Sequence, residues 1–207
     1  MSDDAHYFSR TFSSTPSGDA QERTLQVRLA GREVAVTTAP GVFSGNRVDL
    51  GTRVLLREVP PPPVAGDLLD LGCGWGPVAL TMALLAPRAR VWALDVNPRA
   101  VDLTRRNAQH LGLGGVHACT PEEVPETIRF AAIWSNPPIR VGKPALHAML
   151  AAWLPRLDQG SSAWLVVQRN LGGDSLHRWL ADTLGEGWEV ARHGSAKGYR
   201  VLRATTL

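Results

Sequence analysis

Leu68-Leu69-Asp70-Leu71-Gly72-Cys73-Gly74-Trp75-Gly76-Pro77 carries an apolar run through a Gly-x-Gly-x-Gly turn and straight into a helix-length segment. Glycines at such a turn let the backbone pass close beneath a ligand, and the helix N-terminus offers free N–H groups. A dinucleotide turn needs Gly-x-Gly-x-x-Gly to accommodate a pyrophosphate. Here the third glycine, Gly76, arrives one residue early. Asp70 precedes the turn, where it can hold an ammonium or order the loop. An acid in that place suits a cationic ligand better than a pyrophosphate.

Outward from this turn, strands alternate with helices. Apolar runs at Asp67–Leu71, Arg90–Leu94, Val116–Cys119, Phe130–Trp134 and Ala163–Gln168 are separated by helix-length segments at about 77–87, 98–111, 142–154 and 173–184. That alternation implies parallel pairing with right-handed crossovers, hence an α/β, three-layer Rossmann-like sheet. Trp188–Arg192, a turn over Gly194–Gly198 and Tyr199–Ala204 have no helix between them. They predict an antiparallel hairpin that closes a sheet of about seven strands. Upstream, residues 1–20 have no apolar period and read as an arm lying on something larger. Leu25, Val27 and Leu29, then Val34 and Val36 after Gly31-Arg32, alternate as a β-hairpin does. A helix is expected from about Val48 to Val59, ended by Pro60-Pro61-Pro62-Pro63. The prolines divide the chain into 1–59, an arm, hairpin and helix packing on the core, and 60–207, the main domain.

Composition removes several classes. Over 207 residues, 44% are hydrophobic and 20% charged, which excludes wholesale disorder and collagen-like or coiled-coil chains. No run of about eighteen apolar residues occurs, and the N-terminus lacks a signal pattern, so a soluble, cytoplasmic protein without a membrane partner is expected. Two cysteines, and six histidines without ligand spacing, predict no metal site. A net charge of +3 permits an anionic partner without demanding one.

Two further turns carry chemistry. The second strand ends Asp95-Val96-Asn97-Pro98, which puts a carboxylate beside the glycine turn, where it can bridge two ribose hydroxyls. Asn97 and Pro98 are suited to cap and begin the next helix. The fourth strand ends Ser135-Asn136-Pro137-Pro138-Ile139. Its two prolines hold the turn extended, with the Asn136 amide facing the cleft above the strand ends. The Asn136 oxygen and the Pro137 carbonyl then make two acceptors for a planar NH₂ group.

Asp-Leu-Gly-Cys-Gly-x-Gly, Asp95 and Asn-Pro-Pro together resemble a class I S-adenosylmethionine-dependent methyltransferase, of the branch that methylates nitrogens conjugated to a planar system. His6-Tyr7-Phe8-Ser9, Gly41-Val42-Phe43-Ser44, Val48-Asp49-x-Gly51-Thr52, Asn136-Pro137-Pro138-Ile139-Arg140-x-Gly142-Lys143 and Gly198-Tyr199-Arg200-Val201 are similar to the "small domain" group. That group includes the catalytic half of the 16S ribosomal RNA guanine-N2 methyltransferase C and single-domain archaeal relatives. The resemblance implies S-adenosylmethionine held by Asp70, Gly72, Cys73, Gly74, Gly76, Asp95, Val96, Cys119, Thr120 and Asn136. It implies catalysis by Asn136 and Pro137, with substrate contacts from Phe43, Pro138, Ile139, Arg140 and Lys143. Arg47 and Arg200 would extend a basic rim. Two positions depart from the group's pattern: Ile139 stands where an aromatic often follows the prolines, and Cys119-Thr120 replaces an acid near the adenine. The expected activity is methylation of the exocyclic N2 of a guanine in ribosomal RNA, free or in a small-subunit particle. The alternatives are a protein glutamine or a small-molecule amine in the same cleft, a nicotinamide oxidoreductase, and an RNA-associated binder without turnover.

Overall fold

The computed structural model describes residues 22–42, 47–138 and 141–207. The expected arm and the expected contacts of Phe43, Ile139 and Arg140 lie outside them. An antiparallel hairpin comes first, β1 (Arg23–Leu29) and β2 (Arg32–Thr38). Its two-residue turn is Ala30-Gly31, one residue earlier than expected, with φ of 48° and 77°. Positive φ at both central residues gives the twist that a two-residue hairpin needs. Helix α1 (Leu50–Glu58) follows, capped by the Asp49 side chain.

The remaining elements are β3 (Asp67–Leu71), α2 (Pro77–Leu85), β4 (Arg90–Leu94), α3 (Pro98–His110), β5 (Val116–Cys119), β6 (Phe130–Ser135), α4 (Lys143–Trp153), β7 (Leu157–Gln168), α5 (Gly173–Leu184), β8 (Trp188–Ala196) and β9 (Tyr199–Thr206). Seven strands form one sheet in the order β5-β4-β3-β6-β7-β9-β8. Pairing is parallel through β7, and β9 runs antiparallel to both its neighbours. The closing turn is tighter than expected. β8 continues to Ala196 through a register shift between Arg192 and Gly194, leaving Lys197 (φ 49°) and Gly198 (φ 82°) as the turn.

The layers follow from strand alternation, which sends successive side chains to opposite faces. Leu69 and Leu71 face Leu146, Leu150, Leu176 and Leu180 of α4 and α5. Leu68 faces Val54 and Leu55 of α1 and Val78 and Met82 of α2. The hairpin covers the outside of α2 and α3 through Val27, Leu29 and Val36 against Trp75, Leu80 and Leu103. Buried Asn107 of α3 pins it there, accepting from Thr37 N–H at 2.7 Å and donating to the Thr37 and Trp75 carbonyls at 2.9 and 3.0 Å. Among the described residues no helix is long and apolar enough to cross a membrane.

The strand order reverses between β3 and β6, since the chain passes from β3 to β4 and β5 on one side and returns to β6 on the other. At such a switch point a crevice opens over the strand carboxyl ends. The Ser135 hydroxyl donates to the Leu71 carbonyl at 2.6 Å and ties the two strand ends together.

Candidate active site

The glycine turn is fastened to the end of β4. Gly72 and Cys73 N–H both donate to the Leu94 carbonyl, at 2.9 and 2.8 Å. Gly74 N–H donates to Asp95 Oδ2 at 2.9 Å, and Asp95 Oδ1 accepts from Asn97 N–H at 2.9 Å. Burial pushes the Asp95 carboxyl up, and backbone N–H groups of Asn97, Gly74 and Val96 pull against it. Gly76 serves packing. It caps α2 with φ 99°, and a Cβ there would meet Thr104 Cγ2 of α3 at 2.9 Å.

Asp70 points away from the ligand side. Strand alternation sends it to the α2 face with Leu68, where Oδ2 accepts the Ala79 N–H at 2.9 Å. It is 1% exposed, and its Oδ1 has no partner among the described residues. Of the two roles open to it, ordering the loop is the one the geometry supports. Burial, with a smaller contribution from the Asp95 charge, raises its pKa to about 8 against the Ala79 hydrogen bond. The folded state therefore keeps a proton that an unfolded aspartate releases near pH 4, so stability falls as pH rises from about 4 to about 8. Asp70→Asn has no such proton to lose and can still accept from Ala79. Its melting temperature should change less than the wild type's between about pH 5 and pH 8. Parallel curves would show that Asp70 is not protonated in the folded protein.

A cleft of about 840 Å³ opens over the switch point, lined by Gly72, Asp95, Val96, Asn136 and Pro138 among others. This lies within the range of small-molecule sites. A small recess beside it is walled by Cys73, Gly74, Asp49, Thr52 and Asn136. Asp70 and Gly76 lie outside both. So do Cys119 and Thr120. Cys119 is buried in the core, where its thiol is pushed up to about 11, chiefly by burial. Thr120 is turned into a capping box, its N–H and hydroxyl both reaching Glu123 Oε2 at 2.7 and 3.1 Å. The wall there is formed by Pro121, Glu122 and Val124.

Asn136 lines both the cleft and the recess. Its Nδ2 donates to Asp49 Oδ2 at 2.9 Å and to Thr52 Oγ1 at 3.0 Å. Among the described residues nothing donates to its Oδ1, nor to the carbonyl of Pro137, which is buried and lines neither the cleft nor the recess. The Pro138 carbonyl is used by Val141 N–H at 3.2 Å. Asp49 and Thr52 received no role from the sequence, which expects the helix to begin at about Val48, ahead of the Asp49 cap that the structure shows.

The expected basic rim is rearranged. Lys143 is exposed as the first residue of α4, where the helix dipole disfavours a cation. Arg200 is ion-paired with Asp174, which also holds Arg192 at 2.9 Å. Exposed Arg169 and Lys197 stand at the carboxyl end of β7 and the β8–β9 turn, joined by a bond from Arg169 N–H to the Gly198 carbonyl at 2.9 Å.

The residues present fit S-adenosylmethionine. The glycine turn walls a cleft of sufficient size, and Asp95 borders it with lone pairs remaining on both oxygens. The model of the methyltransferase small domain family matches residues 33–203. The chain is 33% identical over 202 residues to the uncharacterized protein YbxB of Bacillus subtilis (strain 168), covering 96% of this chain and 97% of that one. It is 30% identical over 173 residues to ribosomal RNA small subunit methyltransferase C of Klebsiella pneumoniae, covering 82% of this chain but 49% of that protein. Among solved structures it resembles the Thermus thermophilus 16S rRNA N2-guanine methyltransferase RsmC in complex with AdoMet and guanosine. That likeness has a TM-score of 0.77 at 25% identity, over 94% of this chain and 53% of the other. The chain thus spans about half the length of the ribosomal RNA methyltransferases it matches.

Proposed function

Because the chain belongs to the methyltransferase small domain family and is an S-adenosylmethionine-dependent methyltransferase, we propose that it methylates the exocyclic N2 of a guanine in ribosomal RNA. The observation that carries this reading is the meeting of Asn136 with the glycine turn across the switch point, with Nδ2 engaged by Asp49 and Thr52 and no hydrogen bond to Oδ1 among the described residues.

In this reading Gly72, Gly74, Asp95 and Val96 hold the cofactor. When bound, it supplies a sulfonium methyl that a nitrogen lone pair can take while the S–C electron pair stays on sulfur. Asn136 Oδ1 and the Pro137 carbonyl accept the two hydrogens of the acceptor NH₂. That turns the nitrogen lone pair out of conjugation and stabilises the positive charge that develops on it. The extra proton leaves to water afterwards, so the site needs no strong base. Fixing the two partners in one crevice supplies alignment. A guanine must leave its stack to reach the crevice. Lys143, Arg169 and Lys197, exposed at the start of α4, after β7 and in the β8–β9 turn, would serve as contacts for phosphates of the flanking nucleotides. The names of the relatives support RNA as the acceptor, and such a substrate locates the enzyme in the cytoplasm. Residues 60–207 then form the methyltransferase domain, with the hairpin and α1 packed on it.

The test supplies purified protein with deuteromethyl-labelled cofactor and either free 16S ribosomal RNA or small subunits, then digests the RNA to nucleosides for mass spectrometry. Labelled N2-methylguanosine is expected from one of the two. Unlabelled RNA, with label found instead on a protein glutamine or a small amine, would overturn the substrate while keeping the cleft.

A further inference from the structure

We propose that Asp49 is a positioning residue, its carboxylate holding the Asn136 amide so that Oδ1 and not Nδ2 faces the acceptor nitrogen. This rests on Asn136 being the group that orients the acceptor. A side-chain amide has two nearly isosteric ends, and only one of them serves an NH₂ substrate. The oxygen accepts its hydrogens, whereas the amide nitrogen would oppose donor to donor. Nothing within Asn136 itself chooses between the two.

The choice is made by the partners. A carboxylate accepts hydrogen bonds and cannot donate them, so Asn136 must present Nδ2 to Asp49, at 2.9 Å. The Thr52 hydroxyl, at 3.0 Å, can donate or accept and would tolerate either end. Asp49 therefore sets the orientation, and Thr52 follows it. Asp49 is in turn fixed by the backbone: its Oδ2 caps α1, accepting from Gly51 N–H at 2.7 Å and Thr52 N–H at 3.4 Å. The helix it caps is anchored under the sheet by buried Val54 and Leu55.

The approach is close enough to exclude a side chain at residue 51. A Cβ on Gly51 would lie 2.9 Å from Asp49 Oδ2, 2.9 Å from Tyr199 Cε1 and 3.1 Å from Asn136 Oδ1. Three distant stretches thus meet around Gly51: the start of α1, the end of β6 and the start of β9. The Tyr199 phenol is pushed up by burial and by the neighbouring Asp49 charge, as this packing requires.

The test separates orientation from capping. Serine caps a helix about as well as aspartate, but its hydroxyl is too short to reach Asn136. Asparagine can keep both contacts through its oxygen. Asp49→Ser should lower kcat by about ten- to a hundredfold, the span expected for a lost hydrogen bond to a charged group, with S-adenosylhomocysteine affinity nearly unchanged. Asp49→Asn should recover most of that loss. The Asn136 side-chain NH₂ resonances, assigned by their disappearance in Asn136→Ala, should be protected from exchange in the wild type and Asp49→Asn but not in Asp49→Ser. Asp49→Thr, another cap former, gives the same comparison if the serine variant does not fold. A normal kcat in Asp49→Ser beside a crippled Asn136→Ala would overturn the positioning role alone. So would a loss confined to cofactor affinity, or one that Asp49→Asn does not relieve. Normal turnover in Asn136→Ala would instead remove the reading on which the proposal rests.

Discussion

Replacing Asp95 with alanine is expected to weaken S-adenosylhomocysteine binding by about 1.5–3 kcal/mol, the usual loss for hydrogen bonds to a charged group. The carboxylate does two things at once. It takes the Gly74 and Asn97 N–H groups at 2.9 Å each, and it borders the cleft with lone pairs left for a ribose diol. Alanine removes the ribose acceptor and also the Gly74 tether of the glycine turn, while the Gly72 and Cys73 bonds to the Leu94 carbonyl remain. Asp95→Asn separates the two effects, because one amide oxygen can still hold one of the N–H groups. It should lose part of the affinity and keep the turn. Isothermal calorimetry reads both variants, and a folded Asp95→Ala with unchanged affinity would remove Asp95 from the cofactor site.

Most of the sheet was legible because its signals are local. Strands β3, β4 and β5 fall on the residues where the apolar runs begin and end, and the glycine turn follows β3 directly. The hairpin turns were harder. At Ala30-Gly31 and Lys197-Gly198 a non-glycine residue takes positive φ, which spacing alone does not announce. β7 also begins earlier than its apolar run. Polar residues 158–162 carry no strand pattern; the ladder to β6 jumps across them from Leu157 to Ser162, where pairing with β9 also begins.

The site was legible where a motif brings its own neighbours and illegible where the fold brings strangers together. Asp95 and Asn136 follow their strands to the cleft mouth. Asp70 lies in a motif too, but alternation along β3 turns it to the opposite side, a detail that the one-dimensional pattern contains and that the glycine turn draws attention away from. Asp49 reaches Asn136 across 87 residues of sequence, and no periodicity encodes that distance. The same holds for Arg200, which its pairing with Asp174 withdraws from the expected rim.

The central claim is that Asn136 orients an acceptor nitrogen with its amide oxygen, and a single-turnover rate for Asn136→Ala tests it most directly. Alanine leaves Asp49 its cap on α1 and leaves the glycine turn and Asp95 untouched. Cofactor affinity should therefore hold, while the acceptor nitrogen loses the group that directs its lone pair. With enzyme in excess over labelled cofactor and saturating ribosomal RNA, the methyl-transfer rate should fall about 10²–10³-fold, by analogy with losing one preorganised hydrogen-bonding group from an active site. Unchanged S-adenosylhomocysteine affinity together with that slow rate is the predicted result. A folded Asn136→Ala that transfers methyl at close to the wild-type rate would contradict it.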